Sequence, residues 1–261
     1  MRELTAIILA AGKGTRMRSD LPKVAHHVAD APMVRWVADA CAEAGCSRII
    51  LVVGHQQEII RAIFEDWGND ECAVEFAVQE PQLGTGHAVR CAEPFFEGRP
   101  ACDVFVLAGD GPLIRAATLA TLHERHASSG AKATLATSII SDPSGYGRIV
   151  RDEQGRFLAI VEEKNCTPQQ REINEVNPSY YCFDSGALFD ALARVSRDER
   201  TGEFFLTDVP ALLLADGVRV EVIDAVPSED VLSINTPEQL AEVDAILRSR
   251  LGAARTTGGM R

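Results

Sequence analysis

Three runs in the first half of this chain are apolar from end to end and stop at small residues. They are Ala6-Ile7-Ile8-Leu9 before Ala10-Ala11-Gly12, Ile49-Ile50-Leu51-Val52-Val53 before Gly54, and Val104-Phe105-Val106-Leu107-Ala108 before Gly109-Asp110. A run this short with no polar side has no face to offer water, so each reads as a strand covered on both sides. Helical spacing fills the gaps: residues 32–45, opened by Pro32 and closed near Gly45, then 56–65, 85–92 and 115–128. Further strand patterns fall at 73–78 and 133–140. The alternation predicts an α/β fold: a Rossmann-like, mostly parallel mixed sheet with helices on both faces. Ligands of such sheets bind beyond the carboxyl ends of the strands. Chemistry is therefore expected in the loops after residues 9, 53, 79 and 107.

The second half changes character. Asp142-Pro143-Ser144-Gly145-Tyr146-Gly147 is rich in turn residues. Strand patterns follow at 147–151, 157–162, 174–183 and 218–223, with helices at 185–194, 204–215 and 236–250. Thr236 or Asn235 would cap the last helix, with Pro237 just inside it. No Pro-, Gly- or Ser-rich linker divides the chain. Residues 1–250 read as one unit, with a nucleotide-side half at about 1–140, a smaller substrate-side subregion at about 141–235 and the 236–250 helix. Residues 251–261 read as a flexible tail, because three glycines and little apolar material leave it nothing to bury.

Charge and cysteine content exclude several classes. The formal net charge is −12, which opposes general binding to nucleic acid or to a membrane surface. A few cations gathered at one pocket would still serve a phosphate ligand. The seven cysteines form no C-x-x-C pair and read as reduced core thiols. Arg2 and Glu3 lead directly into a strand, with no signal peptide and no apolar run of membrane-spanning length. The expectation is a cytoplasmic protein, a monomer or weak homo-oligomer.

The first loop carries the clearest chemistry. Gly12 and Gly14 allow the backbone to approach a phosphate, and consecutive N–H groups form an anion nest. Lys13, Arg16 and Lys23 bring three cations to this one segment, as a polyphosphate requires. The loop is neither a Walker loop nor a complete dinucleotide fingerprint, which would need a third glycine at Met17. Gln79 and Gln82 offer paired amides that suit a pyrimidine edge, and Gly84-Thr85-Gly86 opens a helix. A plain polar turn capping a helix would look the same. Asp110 ends a buried strand and faces the crevice, a place for a Mg2+ ligand. Gly147 permits a close backbone approach, while Glu162 and Asn177 can bond sugar hydroxyls. Glu162-Glu163-Lys164 also reads as a solvated charge run, and Asn235 as a helix cap. His26, His27, His55 and His87 have no metal-ligand spacing around them and read as structural.

Together these segments resemble the sugar-1-phosphate nucleotidylyltransferases, and among them the uridylyltransferase domains that act on N-acetylglucosamine 1-phosphate. The matching segments are Leu9-Ala-Ala-Gly-Lys-Gly-Thr-Arg-Met17, Leu21-Pro-Lys23, Gln79 to Ala88, Gly109 to Ile114, Asp142 to Ile149, Ile160 to Lys164, Asn174 to Asn177, and Asn235. The resemblance spans roughly residues 4–250. It implies that Leu9, Ala10, Ala11, Gly12, Lys13, Gly14, Gln79, Gln82, Gly84 and Thr85 bind the nucleotide. It implies a sugar site at Gly147, Glu162 and Asn177, Mg2+ on Asp110 and Asn235, and catalytic roles for Arg16, Lys23 and Asp110.

The reaction so implied is attack of a sugar 1-phosphate on the α-phosphorus of UTP, with pyrophosphate leaving. Arg16 would hold the pyrophosphate, and Lys23 would neutralise the reacting phosphate. Two departures bear on the sugar. Asn177-Pro178-Ser179 replaces the family's usual Asn-Thr-Gly, and Ala108 replaces a common tyrosine. Another acceptor or nucleotide, such as glucose 1-phosphate or dTTP, is the alternative; a non-catalytic sensing module and a nicotinamide dehydrogenase stand further off. The hexapeptide repeats of a left-handed β-helix acetyltransferase domain are absent from these 261 residues. They read as a stand-alone nucleotidylyltransferase or as one domain of a longer protein.

Overall fold

The three apolar runs fold side by side at the centre of one sheet. The computed structural model describes residues 2–258, with side chains to residue 253. Its first half contains β1 (Leu4–Leu9), β2 (His27–Val28), β3 (Ala31–Pro32), α1 (Met33–Glu43), β4 (Arg48–Val53), α2 (Gln57–Ile63), β5 (Ala73–Val78), α3 (Thr85–Arg90), β6 (Asp103–Ala108), α4 (Ala116–Ser129) and β7 (Ala133–Ile139). There follow β8 (Gly147–Arg151), β9 (Phe157–Val161), α5 (Pro168–Arg171), β10 (Glu175–Asp184), α6 (Ser185–Leu192), α7 (Val209–Ala215), β11 (Val220–Asp224) and α8 (Pro237–Gly258). The large sheet runs in the order β11-β7-β10-β6-β1-β4-β5, and β8 and β9 extend it from β10. The pairs of β1 with β4 and β6, β4 with β5, and β11 with β7 are parallel. β10 runs antiparallel to β6, β7 and β8. The expected α/β class and mixed, mostly parallel sheet hold.

The apolar runs explain themselves once the two faces are separated. Ala6, Ile8, Ile49, Leu51 and Phe105 point into one core with α1 and α4 residues such as Val34, Val37 and Leu119. Ile7, Ile50, Val52, Val104 and Val106 point into the other, against Val89, Leu188 and Leu213 of α3, α6 and α7. Successive strand residues serve opposite faces, so the middle of a doubly covered strand is apolar at every position. A third cluster seats α8: Met17, Val28, Met33, Leu113, Ile234, Val243 and Leu247 pack together.

Several details differ from the sequence pattern. The helix expected at 204–215 is a 3-10 turn at Leu206–Asp208 followed by α7, with Pro210 in its first turn. The last helix does not end at 250 but continues to Gly258, and residues 259–261 of the expected tail lie outside the described residues. The two-residue strands β2 and β3 are too short to leave a periodic signal. All seven cysteines are free, as expected. Among the described residues, no helix is long and apolar enough to cross a membrane.

The amino end of β6 and the carboxyl end of β10 are tied by buried charge. Arg2 bonds Asp184 at 2.8 Å and pairs with Asp103 at 3.3 Å. Lys132 bonds Asp184 at 3.0 Å, and His123 Nε2 lies 3.1 Å from Asp103. Burial alone would raise the Asp184 carboxyl, but Arg2, the Ala187 N–H and Lys132 outweigh it and hold it down at about 2. This end is opposite the loops that follow β1, β4 and β6.

Candidate active site

Two 3-10 turns after β1 deliver the basic residues. Met17 anchors the turn at Thr15–Met17, and Val24 and Ala25 anchor the turn at Lys23–Ala25, by burial in the core. Gly14, at φ 62°, caps the start of the first turn; a Cβ there would come within 2.4 Å of Lys23 Cβ. Only glycine allows the Lys23 turn to close on the loop.

Four residues far apart in sequence then converge. Lys23 Nζ makes a short ion pair with Asp110 Oδ2 and donates to Asn235 Oδ1 at 3.1 Å. Arg16 donates to the same Asn235 oxygen at 2.8 Å. Asp110 is aimed by the end of β6, and its carbonyl accepts from Ile234 N at 3.1 Å, which fixes the approach to α8. Thr236, not Asn235, caps that helix: its hydroxyl accepts from Gln239 N at 3.3 Å. The Asn235 side chain is thereby released to face the two cations.

Three adjoining clefts make a groove above the carboxyl ends of β1, β4 and β6. The middle one, of about 440 Å³, is lined by Leu9, Ala11, Gly12, Lys23, Gln82, Gly84, Thr85, Ala108, Asp110 and Glu162. On one side, about 390 Å³ is bounded by Arg16, Asp110, Gly147, Glu162, Asn177 and Asn235. On the other, Lys13, His55, Gln79 and Gln82 bound about 400 Å³. The groove gathers most of the expected residues but not all in the expected way. Lys13 is exposed on the rim of the Gln79 cleft, apart from the Arg16 and Lys23 pair, so the loop's cations do not meet at one point. Ala10 is buried, and its N–H continues the strand ladder to Val52 O at 2.8 Å. Gly14 packs against Lys23 and is not on the wall.

Neighbours hold the remaining side chains. Gln82 donates a short hydrogen bond to the Ala11 carbonyl, closing the second loop on the first. Glu162 accepts from the Thr207 hydroxyl at 2.9 Å. Asn177 is 5% exposed; its amide donates to the Tyr181 hydroxyl at 2.5 Å and accepts from Ser179 N at 3.2 Å. Pro178 is accommodated because β10 changes register between Val176 and Tyr180, with Ser179 at φ 67°. Burial, then the Glu162 and Asp198 carboxylates, push the Asp208 carboxyl above its ordinary value. Thr207 and Tyr181 carry no sequence signal, while His87, which reads as structural, lies with its Nδ1 3.0 Å from Gln79 Nε2. Each holds another side chain, and no spacing rule marks such a residue.

Among the described residues, no three His, Cys, Asp or Glu side chains come together as a metal site. Nor does any nucleophile–base pair line the groove; its polar walls are cations, amides, hydroxyls and carboxylates, among them Asp110, Glu162 and Glu203. That inventory suits binding and charge neutralisation of phosphates.

Comparison with known proteins agrees with this inventory. The sequence profile described as nucleotidyl transferase matches residues 5–231. The chain belongs to the nucleotidyl transferase family. The bifunctional protein GlmU of Geobacter metallireducens is 45% identical over 251 residues, covering 96% of this chain and 52% of that protein. The bifunctional protein GlmU of Pelobacter propionicus is 43% identical over 251 residues, or 96% and 54% of the two chains. That of Caldanaerobacter subterraneus is 40% identical over 262 residues, or 100% and 55%. The chain spans about half the length of the curated relatives it matches. For a nucleotidyl transferase, Asp110 falls inside the matched span and Asn235 just beyond it.

Proposed function

We propose that this chain transfers a uridylyl group from UTP to a sugar 1-phosphate, N-acetylglucosamine 1-phosphate first among them, releasing pyrophosphate. The observation that carries the reading is the meeting of Arg16, Lys23, Asp110 and Asn235 in one groove. The attacking phosphate is ionised near neutral pH, so the chain need supply no general base. Arg16 is positioned to hold the departing pyrophosphate. Lys23 carries the charge that would neutralise the α-phosphate and the incoming oxygen. In this reading both reactants would enter the groove on the same side of the sheet, the base toward the cleft lined by Gln79 and Gln82 and the sugar toward the one lined by Gly147, Glu162 and Asn177.

A divalent cation such as Mg2+ fits the donor set. Asp110 and Asn235 already direct a carboxylate and an amide oxygen at one positive charge, the Lys23 ammonium. Two hard oxygens, completed by substrate phosphates and water, match the preference of Mg2+. Bound between Asp110 and Asn235, the ion would supply Lewis-acid neutralisation of phosphoryl oxygens.

A different sugar is the second reading, and one observation favours it. Behind Ala108 lies a recess of about 70 Å³ walled by Leu9, Leu107, Tyr181 and Leu206. It gives the acceptor side room that a larger residue at position 108 would fill. The proposed setting is the cytoplasm, as a monomer or weak homo-oligomer. Pyrophosphate release, with four nucleoside triphosphates crossed against a panel of sugar 1-phosphates, tests the function. UTP with N-acetylglucosamine 1-phosphate should give the highest kcat/KM. No release with any combination would overturn the proposal.

A further inference from the structure

The loop between Gln79 and His87 contains a hydrogen-bond arrangement that the transfer chemistry leaves unused. Gln79 is 4% exposed and lies on the wall of the Lys13 cleft. Its Nε2 is 3.1 Å from the Gly84 carbonyl oxygen and 3.0 Å from His87 Nδ1. A carbonyl oxygen only accepts, so the nitrogen end of the amide must be the end that faces Gly84. His87 Nδ1 then receives the second amide hydrogen. An imidazole nitrogen accepts only when it carries no proton, which makes His87 neutral with its proton on Nε2. Both hydrogens of the Gln79 amide are engaged. The polar atom left to a ligand is Oε1, an acceptor.

Gln82 differs in this respect. Its Nε2 donates to the Ala11 carbonyl and retains a second hydrogen. Gln79 is therefore the stricter of the two amides, and His87 makes it so. We propose, resting on the nucleotide reading above, that His87 is a positioning residue that locks the Gln79 amide and so selects, among pyrimidines, those offering a ring N–H, uracil and thymine, over cytosine. Cytosine presents an unprotonated ring nitrogen at the equivalent place, and two acceptors then face each other. Without His87, the second amide hydrogen is released and can meet that nitrogen.

The surroundings keep the imidazole neutral. Burial first, then Arg90 of its own helix and Arg197 from the segment before α7, hold its proton affinity below the ordinary 6.5. Protonation would turn Nδ1 into a donor against an amide hydrogen and break the lock. Base selectivity is thus steady near neutrality and falls on acidification below the ordinary imidazole range.

Equilibrium binding of UTP and CTP to the full chain, by calorimetry at about pH 7.5 and about pH 5.5, tests this. Wild type should favour UTP by on the order of 10²-fold at the higher pH, with a smaller ratio at the lower. His87→Ala should reduce the ratio by about 10-fold or more at the higher pH. His87→Asn places a non-titrating amide oxygen near the position of Nδ1. It should show at both pH values the ratio that wild type shows at the higher one. Equal wild-type binding of the two nucleotides, an undiminished ratio in His87→Ala, or a His87→Asn ratio that falls with pH as wild type does would overturn the inference. Should His87→Ala not fold, the pH comparison of wild type with His87→Asn decides. Pyrophosphate release reads the transferase proposal and the binding ratio reads His87, so either can fail alone. Loss of all nucleotide binding would overturn both.

Discussion

Lys23 holds the charge balance of the groove. Its side chain is 17% exposed and that of Asp110 15%, so each depends on the other for neutralisation. Lys23→Ala should lower kcat by on the order of 10²-fold or more, and Arg16→Ala likewise, because charge developing on the phosphates loses a fixed partner. Pyrophosphate release under saturating substrates reads this, and an unchanged kcat would remove that residue from the mechanism. Asp110→Asn keeps the shape but not the charge; metal-dependent turnover should vanish while the circular dichroism spectrum stays native. These residues were legible because strand ends and glycine-rich loops announce themselves in sequence. Lys13 lies apart from Arg16 and Lys23, on the Gln79 cleft, because a loop of alternating glycines sends neighbouring side chains in different directions. Asn235 was ambiguous because a cap and a ligand are the same residue type; Thr236 taking the cap separates the two. Thr207 and Tyr181 were illegible, since their partners arrive from 45 and 4 residues away with no motif to record it.

Among the elements, the loop before α3 is held by backbone as much as by side chains. Gly86 N donates to Phe204 O, and Phe204 N donates to Leu83 O, both at 2.8 Å. Gly84 sits at φ 97°, and a Cβ there would lie 2.6 Å from Phe204 O and 2.9 Å from Glu203 Cβ. Gly84→Ala should cost about 1–3 kcal/mol from backbone strain and raise the nucleotide KM as the loop shifts. Thermal unfolding and a KM for UTP read the two effects; an unchanged KM would separate this loop from nucleotide binding. The seat of α8 is apolar, and Met33 at its centre is fully buried. Met33→Ala should lower the unfolding free energy in urea by about 2–5 kcal/mol. The long elements were readable because burial on one or two faces imposes a period. The break at Pro210 and the two-residue strands were not, because too few residues carry the pattern.

At the scale of the whole molecule, the two ends of the sheet carry opposite duties. The carboxyl ends of the parallel strands face the groove, while Arg2, Asp103, His123, Lys132 and Asp184 lock the other end. Asp184 titrates at about 2 in the folded chain against an ordinary 3.8, so its contribution is complete above about pH 4 and is lost as pH falls toward 2. The urea midpoint should drop across that window, and Asp184→Asn should flatten the drop. A flat wild-type profile would show that this lock adds nothing to stability. The parallel core was legible in sequence; the reversal of β10 was not, because an apolar strand reads alike in either direction. The meeting of Arg16 and Lys23 with Asp110 and Asn235 has a consequence in the order of synthesis. A growing chain presents both cations early, Asp110 midway and Asn235 only after the sheet-forming strands have emerged. Until that late segment docks, the cations lack the oxygen that aims them, so competence for phosphate chemistry arrives with completion of the fold rather than ahead of it.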